Sequence, residues 1–197
     1  MLTAITGGIG SGKSVVSQIL RILGYPVYDC DSRARTIMDS DCGIHRSLCE
    51  QIHPQAVTGG IVDRQLISSI VFNDTEALAR LNTIVHGAVT TDLMVWSAAE
   101  SASGHPLQFV ETAIPVQSGL CHRVDAIWKV TAPESLRIVR VQRRSGLSPD
   151  QIRARIEAQR SESLDGTAHA DIINDGNTPI LPQIHRLLDH ISSVAAQ

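Results

Sequence analysis

The sequence predicts an α/β protein: a three-layer α/β/α core around a five-stranded parallel sheet, with two helical insertions. Three observations carry that expectation. Short, β-prone apolar runs alternate with stretches whose apolar residues recur at helical spacing. Residues 7–14 read G-G-I-G-S-G-K-S, a complete G-x-x-x-x-G-K-[ST] phosphate-binding loop between such a run and such a helix. Two of the intervals between runs are too long to be simple crossovers, yet lack repeats or low-complexity tracts.

In chain order, the first run is residues 2–6 (L-T-A-I-T), and the loop follows it at once. Residues 14–23 (S-V-V-S-Q-I-L-R-I-L) then space their apolar side chains as a buried helix would. A second run at 26–29 leads into Asp29-Cys30-Asp31. The interval 32–104 reads as mostly helical, with Thr58-Gly59-Gly60 as a turn. Runs at 107–111 and 126–131 come next, and a second helical interval occupies 133–163. Within it Ser145-Gly146-Leu147-Ser148-Pro149 is a turn, and Ser148-Pro149-Asp150 opens an N-capped helix that carries arginines. A last run spans 171–174. The expected domains are therefore a nucleotide-binding core of residues 1–31, 105–132 and 164–197, a helical acceptor-substrate domain of 32–104 and an arginine-rich lid of 133–163. Ligands of open α/β sheets gather at the carboxyl ends of the strands, and insertions leaving those ends are placed to receive a second substrate and to close over it.

A chain of 197 residues suits one substantial α/β domain with inserted parts. It is 43% hydrophobic with a mean hydropathy of +0.03, and no apolar run approaches the roughly 20 residues of a membrane span. The chain starts directly in its first strand, with no stretch for a signal peptide, so a cytoplasmic protein without membrane contact is expected. A net charge of −3 argues against a nucleic-acid binder. Cys30, Cys42, Cys49 and Cys121 show neither C-x-x-C pairing nor a histidine at metal-ligand spacing, and read as reduced, mostly buried thiols. Nothing in the sequence requires more than a monomer. Of the 17 basic residues only Lys13 and Lys129 are lysines, and seven arginines fall between Arg137 and Arg160. Two readings stand for that run: a solvated helix face, or bidentate recognition of phosphate.

The loop defines the chemistry. Gly7, Gly8, Gly10 and Gly12 let the backbone curl around phosphate oxygens, with Ser11 among them, and the following N–H groups, to Val15, donate to the anion. Lys13 reaches the β and γ phosphates of ATP, and the Ser14 hydroxyl ligates Mg²⁺. Phosphoryl transfer to a hydroxyl further needs a carboxylate to take its proton. Asp29 and Asp31 both qualify. Either one of them is the base, Asp31 being favoured because it leads into the long interval, or one caps a helix over 32–38 and the other is solvated. Glu111 ends the third run, where it serves either as a second, water-mediated metal carboxylate or as a plain strand-terminal acid. Arg140 and Arg144, four residues apart, share a helix face that would clamp a triphosphate.

In order along the chain, T-G-G-I-G-S-G-K-S, D-C-D-S-R-A-R at 29–35, G-I-V-D-R at 60–64, V-F-N-D at 71–74 and the stretch 81–86 resemble the dephospho-coenzyme A kinase family. So do Val124-Asp125, Arg140 with Arg144, Arg155-Ile156…Gln159 and D-I-I-N at 171–174. The resemblance implies the P-loop NTPase fold and transfer of the ATP γ-phosphate to the ribose 3′-hydroxyl of dephospho-coenzyme A. It implies Asp31 as the base, Lys13 and Ser14 serving ATP and Mg²⁺, Arg140 and Arg144 in the lid, and Asn174 near the adenine. Arg35, Arg64 and His86 fall in the acceptor domain, where the substrate's pyrophosphate needs cationic partners.

The sequence departs from the family pattern at named places. Val15 replaces the usual Thr, D-C-D the usual D-A-D, and His86-Gly87 the usual His-Pro. The segment usually D-x-P-L-L-F-E is here E-T-A-I-P-V-Q, so Glu111 keeps the first acid and Gln117 replaces the last. Two other functions fit the loop: a small P-loop kinase acting on a nucleoside, nucleotide or sugar acid, and a non-catalytic nucleotide switch. A guanine switch predicts N-K-x-D, which does not occur.

Overall fold

The computed structural model describes residues 1–162, 164 and 167–195. Ser163, the last residue of the expected lid, and Asp165, Gly166, Ala196 and Gln197 of the expected core lie outside the described residues. In chain order the elements are β1 (Leu2–Thr6), α1 (Lys13–Ile22), β2 (Val27–Asp29), α2 (Cys30–Ser40), α3 (Cys42–Gln51), β3 (Val57–Thr58), β4 (Ile61–Val62), α4 (Arg64–Asn73) and α5 (Thr75–Ala102). They continue with β5 (Gln108–Glu111), β6 (Ala126–Thr131), α6 (Glu134–Ser145), α7 (Pro149–Ala158), a 3₁₀ turn at Gln159–Glu162, β7 (Ala170–Ile173) and α8 (Ile180–Ala195). Among the described residues no helix is long and apolar enough to cross a membrane.

The chain divides into two compact units. One comprises residues 1–28 and 100–197, the other residues 29–99.

The first unit is built on a five-stranded sheet in the order β2-β5-β1-β6-β7. Its β5–β1, β1–β6 and β6–β7 ladders are parallel, with Ile5 opposite both Glu111 and Trp128. All five expected strands are present, each displaced by no more than one residue at either end. The central strand β1 is buried along its whole length, as a strand covered on both faces must be. Val16 and Leu20 of α1 and Ile184, Leu188 and Ile191 of α8 recur at helical spacing. They pack with Ile5, Phe109, Trp128, Val130 and Ile172 in one apolar cluster. Each such side chain contributes roughly 1.5–3 kcal/mol by leaving water. Tyr25 meets Phe109 edge-on at 5.6 Å, and Phe109 meets Trp128 at 5.1 Å, so three aromatics join β5 and β6 to the turn before β2.

The second unit is mainly helical, as the interval 32–104 suggested, but it contains a small antiparallel hairpin. Thr58 pairs with Ile61 and Val57 with Val62 around the expected turn at Gly59 and Gly60. Two residues per strand are too few to show a period-2 pattern. A separate core gathers Ile37, Ile44, Leu48, Ala56, Val62 and Ile67. Asp41 and Asp63 cap α3 and α4 by accepting the Ile44 and Leu66 N–H groups, both at 2.9 Å. Among the described residues the four cysteines form no disulfide; Cys42 is exposed and the other three are half-buried rather than buried.

Candidate active site

The strand-to-helix turn between β1 and α1 forms the loop the motif requires. Gly10 has φ 77° and Gly12 φ 100°, a region that side chains other than glycine's rarely enter. Space forbids a side chain as well: a Cβ on Gly10 would lie 2.6 Å from the Arg137 carbonyl oxygen, and one on Gly12 would collide with the Asn174 amide. Lys13 turns back on the loop, its Nζ donating to the Gly7 carbonyl at 2.7 Å and to that of Gly8 at 3.5 Å. Ser14 and Val15 are exposed in the first turn of α1, and the Val15 N–H donates to the Gly12 carbonyl at 3.0 Å. The Ser11 side chain is buried, and its hydroxyl has no partner among the described residues.

Helix α6 lays arginines on this loop. Arg140 donates to Asn174 Oδ1 at 3.0 Å and, more weakly, to the Gly10 and Ser11 carbonyls at 3.4 Å. Asn174, buried just beyond β7, donates in turn to the Ser11 carbonyl at 2.8 Å. Arg140 and Asn174 are thus joined through one another to the loop. Arg144 lies one turn further along α6, exposed. The expected capping of the next helix is present: Ser148 accepts the Gln151 N–H, and Gln151 Oε1 accepts the Ser148 N–H in return.

Three loop-side residues were not reached from the sequence. Arg137 donates from Nε to the Ile9 carbonyl at 2.8 Å, and Gln159 accepts the Ile9 N–H at 2.7 Å. Burial pulls the Arg137 guanidinium below the ordinary arginine value, and the Glu134 carboxylate offsets part of that. Arg137 was within reach, since residues 137, 140 and 144 fall on one helix face. The sequence marks Gln159 only as the end of the family motif Arg155-Ile156…Gln159. Lys129, opposite Thr6 in the β1–β6 ladder, lines a cavity of about 300 Å³ beside Gly7 and Gly8. Glu134, Arg137, Gln159 and Glu162 share that wall.

A metal would find oxygen donors here. Ser14 offers a hydroxyl at the head of α1, and Glu111 offers a carboxylate at the end of β5, beside Ile5 of β1. Among the described residues no cluster of three or more His, Cys, Asp or Glu forms a cage. Few protein oxygens, with phosphate oxygens left to complete the shell, is the pattern that suits Mg²⁺. Gln117, at the position of the family's second acid, is exposed and donates its main-chain N–H to Glu162 at 3.2 Å.

The second unit holds the other expected residues. Asp29 is the cap: its Oδ1 accepts the Ser32 N–H at 3.1 Å, its Oδ2 the Ser32 hydroxyl at 3.0 Å. The helix begins at Cys30, so Asp31 is helical rather than extended; it is exposed and without a polar partner among the described residues. Arg35, one turn on, is also exposed and makes no ion pair among them. The intervening Arg33 forks onto Asp92 of α5 at 2.9 and 2.6 Å. Arg64, at the head of α4, pairs with Asp39 at 2.7 Å, with both side chains about half exposed. His86 is half-buried on α5.

A glycine loop between the central strand of this parallel sheet and the helix behind it, with arginines laid on it from a later helix, defines a P-loop nucleotide-binding protein. The dephospho-CoA kinase family model matches residues 1–180. The chain belongs to the dephospho-CoA kinase family. It is 37% identical to a dephospho-CoA kinase of Bacteroides fragilis, over 93% of this chain and 89% of that one. A dephospho-CoA kinase of Porphyromonas gingivalis is 36% identical, over 95% and 92%. A crystal structure from Thermus thermophilus, at 34% identity, superposes with a TM-score of 0.79 over 98% of this chain and 96% of that one.

Proposed function

We propose that this chain transfers the γ-phosphoryl group of ATP to the ribose 3′-hydroxyl of dephospho-coenzyme A, giving coenzyme A and ADP. The observation that carries this reading is a family match running from the first residue to residue 180 around an intact loop. In this reading Asp31 takes the proton of the 3′-hydroxyl as its oxygen attacks the γ-phosphorus and the bond to the β–γ bridging oxygen breaks. The loop N–H groups, Lys13, Arg140 and Arg144 neutralise the triphosphate, and residues 133–163 serve as the lid. Gly8, Gly10, Ser11, Gly12 and Val15 shape the donor site, and Asn174 braces its purine end. Arg35, Arg64 and His86 of the acceptor domain, residues 32–104, hold the acceptor's pyrophosphate. Ser14 and Glu111 would hold Mg²⁺, which when bound offsets charge on the transferring phosphoryl group. Both reactants are small and soluble, so neither nucleic acid nor membrane enters.

The test mixes purified protein, ATP, magnesium and dephospho-coenzyme A and follows the products by mass spectrometry. A product heavier by one phosphate, carried at the 3′ position, is expected, with one ADP per product. ADP formed only by water attack, or no turnover, would overturn the reading.

A further inference from the structure

Ile9, in the middle of the phosphate loop, is gripped from both sides of its main chain. Its N–H donates to Gln159 Oε1 at 2.7 Å, and its carbonyl accepts from Arg137 Nε at 2.8 Å. Gln159 opens a short 3₁₀ turn whose far end is also fastened. There the Glu162 carboxylate accepts the Val116 N–H at 2.9 Å and the Gln117 N–H at 3.2 Å, on the loop that follows β5. A four-residue turn therefore ties two loops of the sheet's active edge together.

We propose that Gln159 is a positioning residue for the donor nucleotide: by holding the Ile9 peptide it keeps the phosphate loop in its binding shape before nucleotide arrives. The proposal rests on the reading of ATP as donor, but not on the identity of the acceptor. A loop with Gly7, Gly10 and Gly12 at positive φ has much conformational freedom to lose. A loop already fixed by side chains loses less of it on binding, and the difference appears as affinity. The residue type matters as well. An amide oxygen accepts the Ile9 N–H without placing negative charge beside a polyanion, as a carboxylate would. Glu162, which is acidic, is turned to the Val116 and Gln117 N–H groups instead.

The test compares Gln159→Ala, Gln159→Glu and Glu162→Ala with the parent chain. ATP binding is measured by titration calorimetry without acceptor, exchange of the Ile9 amide by NMR, and both KM values and kcat by steady-state kinetics. Gln159→Ala is expected to weaken ATP binding about tenfold, speed exchange at Ile9, and leave the acceptor KM within about twofold. Glu162→Ala acts in the same direction and less. Gln159→Glu keeps Ile9 protected yet weakens ATP binding at least as much as Gln159→Ala. Unchanged ATP affinity in Gln159→Ala overturns the proposal. So does a parallel shift of kcat and both KM values with faster exchange in β1 and β6, the mark of general loosening. Failure of the parent chain to bind ATP removes the donor reading and this proposal with it. ATP binding without phosphorylation of dephospho-coenzyme A removes only the acceptor.

Discussion

The phosphate loop and the expected acceptor-side residues of the helical unit 29–99 present their polar groups in opposite ways. Around the loop the side chains are spent on one another and on the backbone: Lys13 on Gly7, Arg137 and Gln159 on Ile9, Arg140 on Asn174, Asn174 on Ser11. In the helical unit Asp31 and Arg35 stand exposed without partners among the described residues, and Arg64 has only a half-exposed ion pair with Asp39. The first arrangement fixes a shape; the second offers charges. A triphosphate is bound by backbone curvature, which must be built in advance. In the proposed reaction, proton transfer and pyrophosphate contact would use single side chains on regular helices, which need only be carried to their place.

That contrast is broken hardest at Asp31. On the proposed reading Asp31→Asn removes the base but no structural bond, so turnover should fall roughly 10²-fold or more. ATP affinity and thermal stability should stay close to the parent's. Calorimetry, thermal melts and saturated initial rates read these separately. Lost ATP affinity with preserved turnover would make Asp31 a structural residue and leave the proton to another group.

A smaller effect is expected at Arg64. Exposed ion pairs contribute about 0–1 kcal/mol, so Arg64→Ala should barely move the melting temperature. If Arg64 serves the acceptor's pyrophosphate, its loss should raise the acceptor KM about tenfold and leave the ATP KM within about twofold. A rise in the ATP KM instead would move Arg64 to the donor side of the comparison.

The same contrast explains what could be read in the sequence. The loop was legible because its curvature demands glycine at fixed offsets, and Gly10 and Gly12 are held there by both φ and space. β1 and β6 were legible to the residue because they are mainly apolar, β-prone runs in the middle of the sheet. The 28-residue α5 was visible only as helical character, since a helix with few fully buried positions has a weak stripe. Which of Asp29 and Asp31 caps α2 depended on where the helix starts, a boundary that spacing does not fix. The grip on Ile9 was out of reach: Gln159 lies 150 residues away in the chain, Arg137 lies 128 away, and neither is announced by local pattern.

The smallest expected effect concerns two acids that serve the two regions alike. Asp175, after β7, accepts the Thr178 N–H at 2.7 Å, the Asn177 N–H at 2.9 Å and the Thr178 hydroxyl at 3.1 Å. The Thr178 and Asn177 N–H groups hold its carboxyl below the ordinary value of 3.8. Asp74, before α5, accepts the Ala77 N–H at 3.0 Å and the Glu76 N–H at 2.9 Å. The Ala77 bond leads in lowering its carboxyl too, with the Glu76 bond and Arg80 adding to it. A depressed carboxyl binds its proton more readily in the unfolded chain. The stabilisation from each is therefore present above pH 3.8 and is lost as pH falls through the depressed native value. Asp74→Asn and Asp175→Asn should each flatten the stability–pH curve below pH 4: they match the parent in acid, where its carboxyl is protonated, and at neutral pH they lose only what the charge adds, because asparagine's amide oxygen still accepts the capping bonds. Acid titrations followed by circular dichroism read the slope. If one variant flattens it and the other does not, the acid stability of the two units has different sources; equal flattening would show that their difference lies in how polar residues are spent on ligands, not in how helices and turns are capped.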